Sequence, residues 1–170
     1  LLTFSAAGGF QFTTTTPFST SGGALNLALN SSGVGIDLTG VTLNTGGGSL
    51  SLNAVNLTLA GSISSGALSL QTSGGGVAET GSITSTGLAA TVAGGDLTLT
   101  GTNAISGTIS TLSGSNNVSL TNDQATTVTS VTSGTSISLT TTSGGLTVTN
   151  AMSAPGAVTL SAAGGVSTHA

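Results

Sequence analysis

One short phrase recurs along this chain, and its spacing limits the folds open to it. The phrase is a small residue, any residue, an aliphatic, Ser or Thr, and a second aliphatic. It reads Gly48-Ser49-Leu50-Ser51-Leu52, Gly66-Ala67-Leu68-Ser69-Leu70 and Gly95-Asp96-Leu97-Thr98-Leu99. It returns as Asn116-Asn117-Val118-Ser119-Leu120, Thr135-Ser136-Ile137-Ser138-Leu139 and Gly156-Ala157-Val158-Thr159-Leu160. The first aliphatic falls at 50, 68, 97, 118, 137 and 158, giving intervals of 18, 29, 21, 19 and 21. Alternation with period two puts aliphatics on one face of a strand and hydroxyls on the other. A fixed interval near 20 marks a repeat architecture.

The same alternation appears in Leu25-Asn26-Leu27-Ala28-Leu29, Leu57-Thr58-Leu59 and Leu146-Thr147-Val148. Turn signals separate the strands, among them Ser31-Ser32-Gly33, Gly46-Gly47-Gly48, Gly74-Gly75-Gly76 and Pro155-Gly156. Glycine recurs too often for a helix of ordinary length. Several short strands in each repeat of about 20 residues predict an all-β parallel β-helix, or β-solenoid. Equivalent strands of successive coils then stack roughly 4.8 Å apart, with aliphatic columns down a narrow core. About seven coils after residue 20 make a rod roughly 34 Å long. The 29-residue interval predicts a longer coil, or an inserted half-turn, between Leu70 and Leu97. The alternative is an antiparallel β-sandwich, which uses the same alternation but does not require one phrase to recur.

Residues 1–20 differ from residues 21–170, which carry the solenoid repeats. All four aromatic residues lie in the first segment: Phe4, Phe10, Phe12 and Phe18. It reads as a hydrophobic cap or atypical first coil, or as a docking arm that adds a strand to a neighbouring subunit. These four Phe are the candidate assembly residues.

Composition removes several classes of function. Ser, Thr and Gly supply 27, 33 and 28 of the 170 residues, and Lys, Arg and Cys are absent. Without cations the chain cannot neutralise nucleic-acid phosphates, so no nucleic acid is expected as partner. Without Cys there is no disulfide framework or thiolate metal site. Mean hydropathy is +0.46, yet no apolar run approaches the roughly 18–20 residues of a spanning helix. The high mean reflects missing charges. A net charge of −4 on such a surface makes self-association an expectation. The chain starts at Leu1 with no basic leader, and reads as a mature or excised segment.

Candidate chemistry is sparse. The titratable side chains are Asp37, Glu79, Asp96, Asp123 and His169. Glu79 and Asp96 fall about one coil apart, a spacing open to paired carboxylates, but all four acids read more simply as solvated turn residues. Ser32-Gly33-Val34-Gly35-Ile36-Asp37-Leu38 partly matches a calcium-binding β-roll repeat, in a single imperfect copy. No glycine run has the spacing or the Lys of a phosphate loop. A nucleophilic triad would have only His169 available, and next to the C-terminus it reads more simply as a tail residue. The Thr pairs Thr98/Thr100, Thr127/Thr129 and Thr147/Thr149 show no fixed phase in the sequence and read as outward strand positions. No catalytic residue, metal ligand or cofactor is expected. Three sequons, at Asn30, Asn56 and Asn117, are possible glycosylation sites. Asn56 suits a stacked polar ladder equally well.

Gly94-Gly95-Asp96-Leu97-Thr98-Leu99 and Leu57-Thr58-Leu59-Ala60-Gly61-Ser62-Ile63-Ser64-Ser65-Gly66 resemble the repeats of filamentous haemagglutinin-type adhesins. These are bacterial surface proteins exported by two-partner secretion, and the resemblance spans roughly residues 21–168. It implies a right-handed parallel β-helix, an extracellular or cell-surface location, and a role in adhesion or filament formation without catalysis. The expected partners are copies of the chain itself and a host or cell-surface glycan or protein. The alternative expectation is a pilin-like filament subunit that polymerises through its N-terminal arm by strand addition.

Overall fold

A computed structural model describes residues 1–11, 17–20 and 22–169. Phe12 lies outside the described residues. The fold is all-β: parallel strands in stacked coils about 20 residues apart form a β-solenoid of about seven turns. Each coil crosses three faces. On the second face the strands Phe10–Gln11, Ile36–Asp37, Leu57–Leu59, Val77–Glu79, Leu97–Leu99, Val118–Asn122, Ile137–Thr141 and Val158–Ala162 stack in that order. Every strand pair among the described residues is parallel, which excludes the facing antiparallel sheets of a sandwich.

Register explains why the alternation produces this stack. Ile36, Leu57, Val77, Leu97, Val118, Ile137 and Val158 occupy one column on the second face. Their intervals are 21, 20, 20, 21, 19 and 21 residues. On the first face, Leu29, Leu52, Leu70, Ala90, Leu112, Val131 and Met152 form another column. Because strand side chains alternate between faces, one residue of slip would turn every aliphatic outward. The interior aliphatics are buried, and each contributes roughly 1.5–3 kcal/mol by leaving water.

The columns correct one expectation. No longer coil lies between Leu70 and Leu97. The phrases at Leu50 and Leu68 lie on the first face, whereas those from Leu97 onward lie on the second. The coil between is ordinary, because Val77 pairs with Leu97 at an interval of 20. The 29-residue interval is one coil plus the step from one face to the next.

Corners are held by two devices. An inward hydroxyl at a strand end donates to the carbonyl three residues on: Ser31 to Val34 (2.8 Å), Thr72 to Gly75 (2.5 Å) and Thr141 to Gly144 (3.1 Å). Such bonds satisfy backbone groups where the chain leaves the sheet. The second device is a glycine column at Gly61, Gly81 and Gly101, where second face turns into third. A Cβ on Gly81 would run into the Gly61 carbonyl, and one on Gly61 into the Val41 carbonyl. Only Gly lets successive coils approach so closely there.

The true irregularity is on the third face, beside a bulge on the first where Leu88 pairs with Ile109 but Ala89 with Thr111. Residues 82–85 pair with Thr102–Ile105, but Thr126–Val128 pairs with residues 108–109 instead. The rung therefore moves about six residues along the chain. Thr102–Ile105 has a strand neighbour on one side only.

Candidate functional site: a buried polar network and the two terminal coils

Three of the buried polar side chains, Glu79, Asn103 and Asn122, lie beside the register shift. Glu79 stands in the second-face column between Leu59 and Leu99 and is 0% exposed. It is not the solvated turn residue its spacing suggested. Its Oε2 accepts hydrogen bonds from the Gly101 N–H (2.9 Å) and from Asn103 Nδ2 (3.0 Å). Its Oε1 has no hydrogen-bond partner among the described residues. The chain has no Lys or Arg to pair with it. A buried acid is tolerated only where N–H donors replace water, and here two do so.

Asn103 likewise replaces an aliphatic, in register with Ile83 on the third face. Its Oδ1 accepts from the Ile83 N–H (3.1 Å), and its Nδ2 also donates to the Thr121 carbonyl (3.1 Å). Asn122 completes the network. Its Oδ1 accepts from the Ile105 N–H (2.8 Å) and its Nδ2 donates to the Ile105 carbonyl (2.9 Å). One amide side chain thus supplies both hydrogen bonds that a missing strand would have made. Nδ2 of Asn122 also donates to the Thr126 hydroxyl (2.9 Å), whose strand starts the shifted rung. Sequence reasoning missed Asn103 and Asn122. The available signal was a polar residue where the repeat places an aliphatic, as in Thr102-Asn103 against Ser62-Ile63 and Ser82-Ile83.

The other acids stay apart from this network. Asp96 is exposed before Leu97 and accepts from the N–H (3.0 Å) and Nδ2 (3.0 Å) of Asn117. Asn117 Oδ1 accepts in turn from the Ser136 hydroxyl (2.7 Å), so Asp96, Asn117 and Ser136 form an outer polar ladder across three coils. Glu79 points inward and Asp96 outward, so they do not form a carboxylate pair. Asp37 is exposed, and the Thr39 hydroxyl (2.6 Å) and Thr39 N–H (2.9 Å) donate to it. Those bonds hold its carboxyl below the ordinary value, against a small opposing effect of burial. Among the described residues no three His, Asp or Glu side chains come together to hold a metal. His169 is exposed, with its N–H donating to the Val148 carbonyl (2.9 Å).

Two of the three sequon residues are exposed and one is half-buried. Asn30 is the half-buried one, outward on the first face in register with Ser5 and Asn53. Asn56 packs beside Gly35 and Gly75 of the neighbouring coils, where a Cβ at either glycine would meet it. Asn117 is committed to the outer ladder.

The terminal coils differ from all others. Leu2–Ala6, Phe10–Gln11 and Phe18–Ser19 pair in parallel with the second coil. Phe10 and Phe18 are half-buried against the core, while Phe4 is 42% exposed. At the other end Val158 and Val166 are each 44% exposed. These residues hold positions that are buried in every coil between.

No family model, curated protein or solved structure matches this chain. No helix among the described residues is long and apolar enough to cross a membrane.

Proposed function

We propose that this chain is a non-enzymatic structural segment of an extracellular filament, sheath or adhesin. One observation carries the reading: aliphatic columns run in register through the stack, while the titratable groups stay dispersed. Such an object suits a stiff spacer better than a reaction site. Parallel ladders of backbone hydrogen bonds give the rod its stiffness along its axis. Its outer surface is rich in hydroxyls, with the shallow groove along Ser5, Asn30, Asn53 and Ser73 as one example. That surface suits contact with a glycan or protein of another cell. The resemblance of the repeats to filamentous haemagglutinin-type adhesins supports the same reading. The pilin-like alternative needs a free N-terminal arm, and nothing favours it, since Leu2–Ala6 is already paired to its own second coil. Antibody labelling of intact cells that make the protein tests the proposal. Surface label without permeabilisation, and loss of cell attachment when the gene is deleted, are expected. Label seen only after permeabilisation overturns it.

A further inference from the structure

We infer that the outer second face carries a binding notch for one neutral sugar ring, between the coils of Leu57 and Leu97. This names a ligand class for the surface contact proposed above and rests on that reading for its purpose, though not for its chemistry. The notch lies inside the stack, with Ile36–Asp37 paired on one side of it and Val118–Asn122 on the other.

Two outward columns cross this part of the face. Thr58, Ala78 and Thr98 form one. Asn56, Gly76 and Asp96, each one residue before the inward aliphatic column, form the other. In both columns the middle rung is small. Gly76 and Ala78 therefore leave a notch of about 350 Å3 between a wall of Asn56 and Thr58 and a wall of Asp96 and Thr98. The walls stand roughly 9.6 Å apart, two strand spacings. The rung stays open at Gly76, because a Cβ there would meet the Asp96 carbonyl at 2.7 Å.

The walls present the groups that a hydroxyl-bearing ring needs. Asp96 is held in place, since its Oδ1 accepts from the N–H and the Nδ2 of Asn117, both at 3.0 Å. Its Oδ2 takes no hydrogen bond from the described residues, and the Asn56 amide makes none with them. Thr58 and Thr98 add hydroxyls that both donate and accept. A carboxylate fixed in advance is a strong acceptor for a sugar hydroxyl and loses little freedom on binding. Charge then selects among sugars. The chain has no Lys or Arg, so nothing offsets the Asp96 carboxylate against a uronate, sulfate or phosphate. All four Phe lie at or before residue 18, so no aromatic ring stacks on the ligand. Recognition rests on hydrogen bonds, which admits a neutral ring and turns away an acidic one.

The test titrates the 170-residue chain with the methyl glycosides of glucose, galactose and mannose, read in amide NMR spectra. Glucuronate is the acidic control. At least one neutral glycoside should give saturable shifts centred on Asn56–Thr58, Gly76–Ala78 and Asp96–Thr98, and glucuronate should give none. Ala78→Ile fills the notch from an outward position and should abolish the shifts. Asp96→Asn keeps an oxygen for Asn117 but removes the charge, and should weaken binding about tenfold. Absence of saturable shifts with all three glycosides overturns the inference. So do shifts centred elsewhere, equal binding of glucuronate, or binding unchanged by Ala78→Ile. If Ala78→Ile loses its strand signal in circular dichroism, Ala78→Thr, which matches Thr58 and Thr98 in its column, replaces it under the same criteria. Surface labelling without sugar binding removes the notch and leaves the spacer reading; sugar binding without surface labelling does the reverse.

Discussion

The coils from Ile36 to Leu99 and the coils from Thr102 to Val128 solve one problem in two ways. In the first region every inward rung is completed by the next strand, and the aliphatic columns share the interior with Thr45, Ser65, Thr72, Ser85 and Glu79. In the second, the third-face rung moves and Thr102–Ile105 loses its upper neighbour. Side-chain amides take over there. Asn122 supplies the hydrogen bonds of an absent strand, and Asn103 ties that patch to the buried Glu79. A regular stack needs only size and alternation from its residues. A stack that changes register needs polar groups of particular shape, since an unpaired buried N–H or carbonyl costs about 1–3 kcal/mol.

Substitutions can break this contrast. The largest effect is expected in the regular region. Gly81→Ala forces a Cβ into the Gly61 carbonyl, a backbone atom with nowhere to move. We expect a loss of about 3 kcal/mol, read as a lower midpoint in denaturant. A change within a few tenths of a kcal/mol would show that the coils can part without cost. The next effect tests the polar network. Glu79→Leu matches Leu59 and Leu99 in its column, and Asn103→Ile matches Ile63 and Ile83 in its own. Each alone should cost about 2 kcal/mol, because each strands a partner. The double variant should fall short of the sum by about 1 kcal/mol. Strict additivity in chemical denaturation would mean that the two side chains do not act as a pair. The smallest effect lies on the exposed surface of the stack. Thr39→Ala removes the hydroxyl that holds the Asp37 carboxyl low, leaving the backbone N–H. Because the folded value is depressed, the contribution is present above the ordinary carboxylate range and fades as pH falls through the folded value. The variant should titrate at higher pH in carboxyl-resolved NMR, with the rest of the fold unmoved. An unchanged titration would assign the shift elsewhere.

Much of the architecture was legible because it rests on two periods, two residues along a strand and about 20 around a coil. Leu97, Val118, Ile137 and Val158 announce one column by spacing alone. The phrase did not say which face it occupied, since Leu68 and Leu97 look alike locally and differ only in what lies above and below. The 29-residue interval therefore read as a long coil. Glu79 shows the second limit. As an isolated acid near a turn it reads as solvated, and only its register with Leu59 and Leu99 places it inside. Asn103 and Asn122 were hidden among many Asn, Ser and Thr, because their role depends on a strand that ends rather than on any motif. Phe10 and Phe18 were legible as apolar anchors, and their places at the head of the stack follow from pairing that the sequence does not spell out.

The moved rung at Ile105 also leaves a seam on the third face. One ladder ends at Thr102–Ile105, and the next, on residues 108–109, is taken up by Thr126–Val128. Where the two meet, the side chain of Asn122 carries a load that backbone carries elsewhere. Coils in a solenoid hold only their immediate neighbours. The first and second faces ladder straight across those same coils, so Asn122 closes a gap confined to the third face.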